Sequence, residues 1–326
     1  MIRGVIEGFY GRPWTHAERL DLIAFCGEEG FDTWVHAPKD DPYHRERWRD
    51  PYPADELARL AELAAAAGRA GIELTCAIAP GLSIQYDSER DLAQLLAKAE
   101  QLRSAGVRRL QLLWDDIESR DARGQAEVSN RFREALPQDV LVVCPVGYAG
   151  TEDTTYRREL REHLDPAIAV YWTGPEVVSF AIAREELDAA AARFGGRSLL
   201  VWDNYPVNDF TPELLFLGPL RGRDPRLWDG PALGLVANGM VQAVPSKLAL
   251  ATVADYLRDP HAYDPVGSFE RALRLYGAEV RDALLPLAAR GGPAEPRRPR
   301  DVDALIDALA LGVDAASGRA LLEGYV

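Results

Sequence analysis

Two adjacent carboxylates, Asp115 and Asp116, follow directly on the apolar stretch Leu110 to Trp114. Like charges a few ångströms apart repel, and the pKa of at least one is raised. Such a pair is costly unless it is used. One use is proton transfer, in which a carboxylic acid kept protonated by its surroundings works beside a second, ionised carboxylate. A hard cation held between oxygens is another use, and a helix N-cap a third. A second pair, Asp40-Asp41, invites the same cation reading. Against a metal, the five histidines show no His-Xaa-His or His-Glu-Xaa-Xaa-His spacing and no EF-hand loop is present. No metal and no cofactor are therefore expected.

Side chains can do chemistry only if a frame holds them, and the sequence around the pair repeats. Short apolar, β-branched or aromatic runs begin near Ile2, Thr33, Glu73, Arg109, Val140, Ile168, Ser198 and Leu233. Between them lie segments of helical period, 15–30, 54–70, 88–105, 124–135, 156–164 and 181–194, and another follows at 246–257. Gly30, Gly71, Gly106 and Gly195 stand where left-handed C-caps would close such helices. Eight strand starts spaced by roughly 28 to 40 residues match a barrel of about 250 residues divided by eight. The expected fold class is α/β, a (β/α)8 TIM barrel with a small C-terminal helical appendage. An open doubly wound sheet is the rival, but Gly8-Phe9-Tyr10-Gly11 does not fit its glycine-rich phosphate turn. Pro206, Pro212, Pro219, Pro225 and Pro231 interrupt the seventh connection, so a long loop with short helical turns is expected there. The barrel is assigned to residues 1–258. Residues 259–326, rich in Ala, Leu and Arg and broken by the Gly, Pro and Arg stretch 291–299, form the helical C-terminal region.

In such barrels the reacting groups sit at the C-terminal ends of the strands. Here those ends carry Glu7-Gly8-Phe9-Tyr10, His36 to Asp41, Trp114-Asp115-Asp116, Cys144 to Tyr148, Tyr171 to Gly174, Trp202 to Asp209 and Ala237-Asn238-Gly239. Aromatic rings beside amides and carboxylates suit a sugar, whose ring faces stack on aromatics while its hydroxyls need directional partners. Taken singly, a strand-end Trp is more often core and a strand-end Asp is often an N-cap. The coincidence of several such sets on one rim favours the sugar. On that reading the carboxylate pair suits glycoside hydrolysis, in which a carboxylic acid protonates the leaving oxygen and a second carboxylate assists.

The bulk properties exclude other partners. A formal charge of -14 over 326 residues opposes binding to nucleic acid and to acidic membranes. Cys26, Cys76 and Cys144 lie in apolar runs and read as buried thiols rather than a disulfide framework. No signal-peptide stretch or run of roughly 18 to 20 apolar residues is present, so a cytoplasmic protein is expected.

The blocks from Arg3 to Trp14, from Ala37 to Arg45 and from Leu113 to Ile117 together closely resemble the catalytic domain of glycoside hydrolase family 84, the O-GlcNAcases and bacterial β-N-acetylglucosaminidases. Trp172-Thr173-Gly174-Pro175, Trp202-Asp203-Asn204 and Asn208-Asp209 extend the likeness across residues 2–258. The resemblance implies a retaining exo-β-N-acetylglucosaminidase in which the substrate's own 2-acetamido oxygen attacks the anomeric carbon to give an oxazoline, an exception to the two-carboxylate scheme. It implies that Asp115 accepts the acetamido N–H and that Asp116 is general acid and then general base. It places Gly8, Lys39, Asn204, Asp209 and Asn238 around the sugar hydroxyls, Tyr148 near the acetamido group and Trp202 in the pocket wall. The chain departs from the family at Asn238-Gly239, where Asn-Pro is usual. The implied partner is a terminal β-linked N-acetylglucosamine on a glycoside, glycoprotein or peptide, with a homodimer through the C-terminal helices as a further expectation. The rival readings are an endo-acting hyaluronidase, which the acidic surface disfavours, and a non-catalytic sugar-binding protein, which the intact Asp pair disfavours.

Overall fold

The computed structural model describes residues 1–136, 140–212, 214–276 and 281. Eight parallel strands close into a barrel in chain order: β1 Ile2–Glu7, β2 Thr33–His36, β3 Glu73–Ile78, β4 Arg109–Leu113, β5 Val142–Cys144, β6 Ala169–Trp172, β7 Leu199–Asp203 and β8 Ala232–Asn238. The ring is sealed by β1 against β8, with Val5 opposite Ala237 and Ile6 opposite Asn238. Helices α1 His16–Glu29, α2 Ala54–Arg69, α3 Glu89–Ser104, α4 Ala122–Ala135, α5 Thr155–His163 and α6 Arg184–Arg193 make the first six crossovers. The seventh contains, among the described residues, no helix beyond a short 3-10 turn, Pro225–Asp229, as its prolines predict. Helix α7 Ala243–Arg258 follows β8.

Local chemistry sets these boundaries. Thr15 and Glu18 form a reciprocal capping box at the start of α1, and Gly30 ends it at φ 88°. Ser88, Asp121 and Thr154 each cap the helix that follows by accepting a backbone N–H. Gly71, Gly106 and Gly195 adopt positive φ just after α2, α3 and α6, where a side chain would be strained.

Alternate residues of each strand serve two cores. Ile6, Val35, Leu113, Tyr171, Leu200 and Val236 pack together inside the barrel. Their neighbours Val5, Trp34, Leu112, Val170, Leu199 and Leu235 pack outward against the helices. Helix α8, Pro265–Ala272, buries Phe269 and Ala272 in that same outer core. Its Arg271 pairs with Glu29 of α1 and Asp255 of α7 at 2.9 and 2.7 Å. Most of the C-terminal region expected from the sequence lies outside the described residues. Cys26, Cys76 and Cys144 are buried free thiols. Among the described residues no helix is long and apolar enough to cross a membrane.

The long loop between β2 and α2 is bound to its neighbours. Lys98 of α3 donates to the carbonyls of Tyr43 and Asp50 and lies over the Tyr52 ring at 4.3 Å. The buried His44 bonds the Ala77 carbonyl through Nδ1 at 2.8 Å, while its own carbonyl accepts from Ala79 N at 2.9 Å. Burial, reinforced by the charge of Lys39, pushes the His44 imidazole down from 6.5 to about 3. Between these values the unfolded chain holds a proton at this position that the native chain does not, so stability falls as pH drops from 6.5 toward about 3. Replacing His44→Gln should remove a component of up to about 1.4 kcal/mol per pH unit from the slope of unfolding free energy against pH. Urea titrations between neutral and mildly acidic pH measure it; an unchanged slope would show that the ring is not the group responsible.

Candidate active site

The nine residues singled out from the sequence come to one place. Gly8 follows β1, Lys39 lies in the β2–α2 loop, Asp115 and Asp116 follow β4, and Tyr148 follows β5. Trp202 is in β7, Asn204 and Asp209 follow it, and Asn238 ends β8. All nine line a single cavity of about 300 Å³ at the C-terminal face of the barrel. Tyr10, Cys144, Thr173, Val177, Val178, Val207 and Phe210 complete its lining. Tyr10, Cys144, Thr173 and Val207 were visible in the strand-end sets. Val177, Val178 and Phe210 sit in loops without periodic pattern, and nothing in the sequence marked them.

The carboxylate pair sits in two different settings. Asp115 is buried, and its Oδ2 accepts from the Lys39 ammonium, itself buried. Its other oxygen, Oδ1, is buried without a hydrogen-bond partner among the described residues, a state that is costly unless a ligand supplies a donor. Asp116 is exposed to the cavity mouth. Its Oδ2 accepts from the Tyr10 hydroxyl at 2.9 Å and its Oδ1 from the Tyr148 hydroxyl at 2.8 Å. Burial, then the neighbouring Asp116 carboxylate, pushes both phenols well above their ordinary value, so they stay protonated donors. The division has a backbone cause. Asp116 has φ 53° and is the sole non-glycine residue at positive φ among the described residues. Asp tolerates this region better than most side chains.

A chain of amides closes the opposite wall. Gly8 N donates to Asn238 Oδ1 at 3.1 Å, Asn238 Nδ2 to Asn204 Oδ1 at 3.0 Å, and Asn204 Nδ2 to the Val177 carbonyl at 2.7 Å. The orientation of Asn238 is thereby fixed without a following proline. At Gly239 a Cβ would come within 2.6 Å of the Trp14 ring. Asp209 accepts from Tyr10 N at 2.8 Å, and burial raises its carboxyl above the ordinary value. The Trp202 ring lies edge-on to Tyr171, centroids 5.2 Å apart, and forms the cavity wall beside Gly8.

Other rim residues are structural. Trp14, Trp114 and Trp172 are buried in the outer core, their indole N–H groups bonded to Met240 O, Ser129 Oγ and Gly150 O. Glu7 accepts from Arg19 at 2.7 and 2.8 Å and from Trp14 N at 3.0 Å. Burial acts to raise its carboxyl, but His36 and Arg19 together hold it below the ordinary value. Asp41 accepts from Tyr43 N and Tyr52 OH, and Asp40 from Gly11 N, so this pair braces loops. Among the described residues no three His, Cys, Asp or Glu side chains gather as a metal site would require.

A closed (β/α)8 barrel with three carboxylates, a lysine, two phenols, two amides and an indole converging at its C-terminal face is built to transfer protons on a small polar ligand held by directional contacts. The β-N-acetylglucosaminidase family profile matches residues 3–289. The chain belongs to that family, glycoside hydrolase family 84. Over 274 residues it is 34% identical to the Protein O-GlcNAcases of Rattus norvegicus and Mus musculus, a match that takes in 78% of this chain and 30% of each relative. It therefore spans less than a third of the length of those relatives. Among solved structures, CpGH84B superposes with a TM-score of 0.85 at 35% identity, covering 97% of this chain and 59% of that one. A point mutant of the Thermobaculum terrenum O-GlcNAc hydrolase gives 0.81 at 37% identity, covering 87% and 65%.

Gly8 is required by its surroundings, since a Cβ there would lie 2.4 Å from Trp202 Cζ2. Gly8→Ala should cost about 1–3 kcal/mol of stability by overpacking and push the Trp202 indole into the cavity. Denaturant titration and a crystal structure of the variant read the two effects. Wild-type stability with an unmoved indole would mean that the wall yields elsewhere.

Proposed function

We propose that the chain is a retaining exo-β-N-acetylglucosaminidase that releases terminal β-linked N-acetylglucosamine, including sugar attached to protein, by way of the substrate's own acetamido group. The observation that carries this reading is Asp115 Oδ1, a buried acceptor with no partner among the described residues, at a cavity that also presents Asp116. An acetamido N–H is a donor of the kind Oδ1 lacks. With that N–H held by the carboxylate, the carbonyl oxygen gains electron density and attacks the anomeric carbon from the face opposite the leaving oxygen. As the oxazolinium forms, Asp115 stabilises its positive charge, and Asp116 gives a proton to the departing oxygen. Asp116 then takes a proton from water, which opens the ring at the same carbon. Two inversions return the original configuration, and Asp116 ends protonated as it began.

The remaining residues support this division. Lys39 aims Asp115 by pairing with its Oδ2, and the two phenols hold Asp116 toward the mouth. Gly8, Asn204, Asp209 and Asn238 offer the directional partners that sugar hydroxyls need, and Trp202 offers an apolar face. The cavity of about 300 Å³ is at the small end for ligand sites, which favours one terminal sugar over a run of them. The names of the mammalian and bacterial relatives, Protein O-GlcNAcase and O-GlcNAc hydrolase, point to protein-linked substrates.

Asp116→Asn should lower kcat/KM on glycosides with poor leaving groups by about 10²–10⁴-fold while nearly sparing activated dinitrophenyl glycosides, which need no protonation. Asp115→Asn should slow both. Equal loss on both substrate types in Asp116→Asn would remove the acid role, and absence of wild-type hydrolysis across the series would remove the activity.

A further inference from the structure

The guanidinium of Arg45, on the β2–α2 loop, reaches under the reacting pair. It is buried at 7% exposure, donating from Nη2 to the Asp116 carbonyl at 2.9 Å and from Nη1 to the Asp115 carbonyl at 3.4 Å. Among the described residues it forms no ion pair with a carboxylate, so its charge faces backbone dipoles. Its Cζ lies 5.9 Å from the centroid of the Tyr10 ring, the same Tyr10 that donates to Asp116 Oδ2. Arg45 thus touches both supports of Asp116, the backbone that carries it and a phenol that orients it.

The residue it grips is also the one that needs holding. A non-glycine residue in the left-handed region persists when its surroundings over-determine it, and Asp116, at φ 53°, is the sole such residue described. Without that turn the two consecutive carboxyls would not reach Lys39 on one side and Tyr10 and Tyr148 on the other. A planar fork can meet two successive carbonyls at once, which a lysine ammonium on a flexible stem cannot reproduce. We propose that Arg45 is a positioning residue that fixes the left-handed backbone at Asp116 and thereby the relative placement of the two carboxyls. Its kinetic consequence rests on the proposed glycosidase reading; its conformational consequence does not.

The test uses Arg45→Met and Arg45→Lys in the full chain. On glycosides with poor leaving groups kcat should fall roughly 10²-fold with KM within about threefold of wild type, because a misplaced acid affects proton transfer more than binding. The loss should shrink on dinitrophenyl glycosides. Arg45→Lys should not restore the rate, and it carries the kinetic test if Arg45→Met does not fold. Added to Asp116→Asn, the Arg45 substitution should cost little further on poor leaving groups. A loss of equal size on every leaving group, full recovery in Arg45→Lys, or additive losses in the double variant would overturn the proposal. Crystal structures of the Arg45 variants supply a readout independent of turnover. There Asp116 should leave positive φ or lose one tyrosine contact, and a backbone still near 53° with both contacts intact would overturn the proposal. Should the wild-type chain hydrolyse none of the glycosides, the glycosidase reading falls while this structural comparison still decides the role of Arg45.

Discussion

Two carboxylates on consecutive residues repel each other, and the ammonium of Lys39 is what lets Asp115 and Asp116 share the mouth of the barrel. The Lys39 and Asp115 side chains are 2% and 6% exposed, so neither charge is hydrated and each depends on the other. Taking one partner from such a pair strands a buried charge, typically at about 3–5 kcal/mol. Lys39 also faces the Tyr10 and Trp202 rings at 5.9 and 5.3 Å, whose electron-rich faces favour a cation. These contacts join residues from the ends of β1, β2, β4 and β7. Only a closed ring of strands brings positions so distant in the chain to one point.

The loops that carry the other site residues are held by the same device, a buried guanidinium turned toward backbone carbonyls. Arg157 of α5 donates to the Gly147 carbonyl at 3.1 and 2.8 Å and to that of Glu152 at 2.9 Å, which braces the loop bearing Tyr148. Arg223 grips Asp203 at the end of β7 at 2.7 and 2.6 Å and the carbonyls of Phe180 and Ser179 at 3.1 and 3.2 Å. It thereby ties the segment after β6, which carries Val177, to the strand that leads into Asn204. Asn208 is fully buried and bonds Leu214 O, Gln242 Oε1 and Val241 N, joining the loops that follow β7 and β8. Sites of this kind need loops for variety and a rigid frame for precision. Here the polar staples supply the rigidity that short hydrophobic contacts at the rim cannot.

How far the sequence announced this arrangement depends on the reach of each signal. Strand starts at Ile2, Thr33, Glu73 and Arg109 were legible to the residue, and the other four to within two, because period, β-branching and capping glycines are local. The Asp pair stood out because its repulsion needs a reason wherever it occurs. By contrast Glu7, Asp203 and Asn208 occupy strand-end positions much like those of Asp115 and Asn238, yet they serve the frame. Their partners Arg19, Arg223 and Gln242 become visible only when the barrel is closed. Arg45 likewise sat unread within the block that carries the family likeness, since gripping a carbonyl leaves no mark in composition. Phe210 and Val177 line the cavity from loops where no period constrains the choice of residue.

The proposed role of Asp115, serving a nucleophile that belongs to the substrate, is tested most directly by measuring kcat/KM for aryl β-glycosides whose N-acyl group carries zero, one, two or three fluorines. Fluorine withdraws electrons from the acyl oxygen while scarcely changing the shape of the group. A substrate-borne nucleophile predicts a steep, monotonic fall along the series that is much steeper than any change in the affinity of matched non-hydrolysable analogues. A rate indifferent to fluorination would contradict it and assign the nucleophile to a group of the protein or to water.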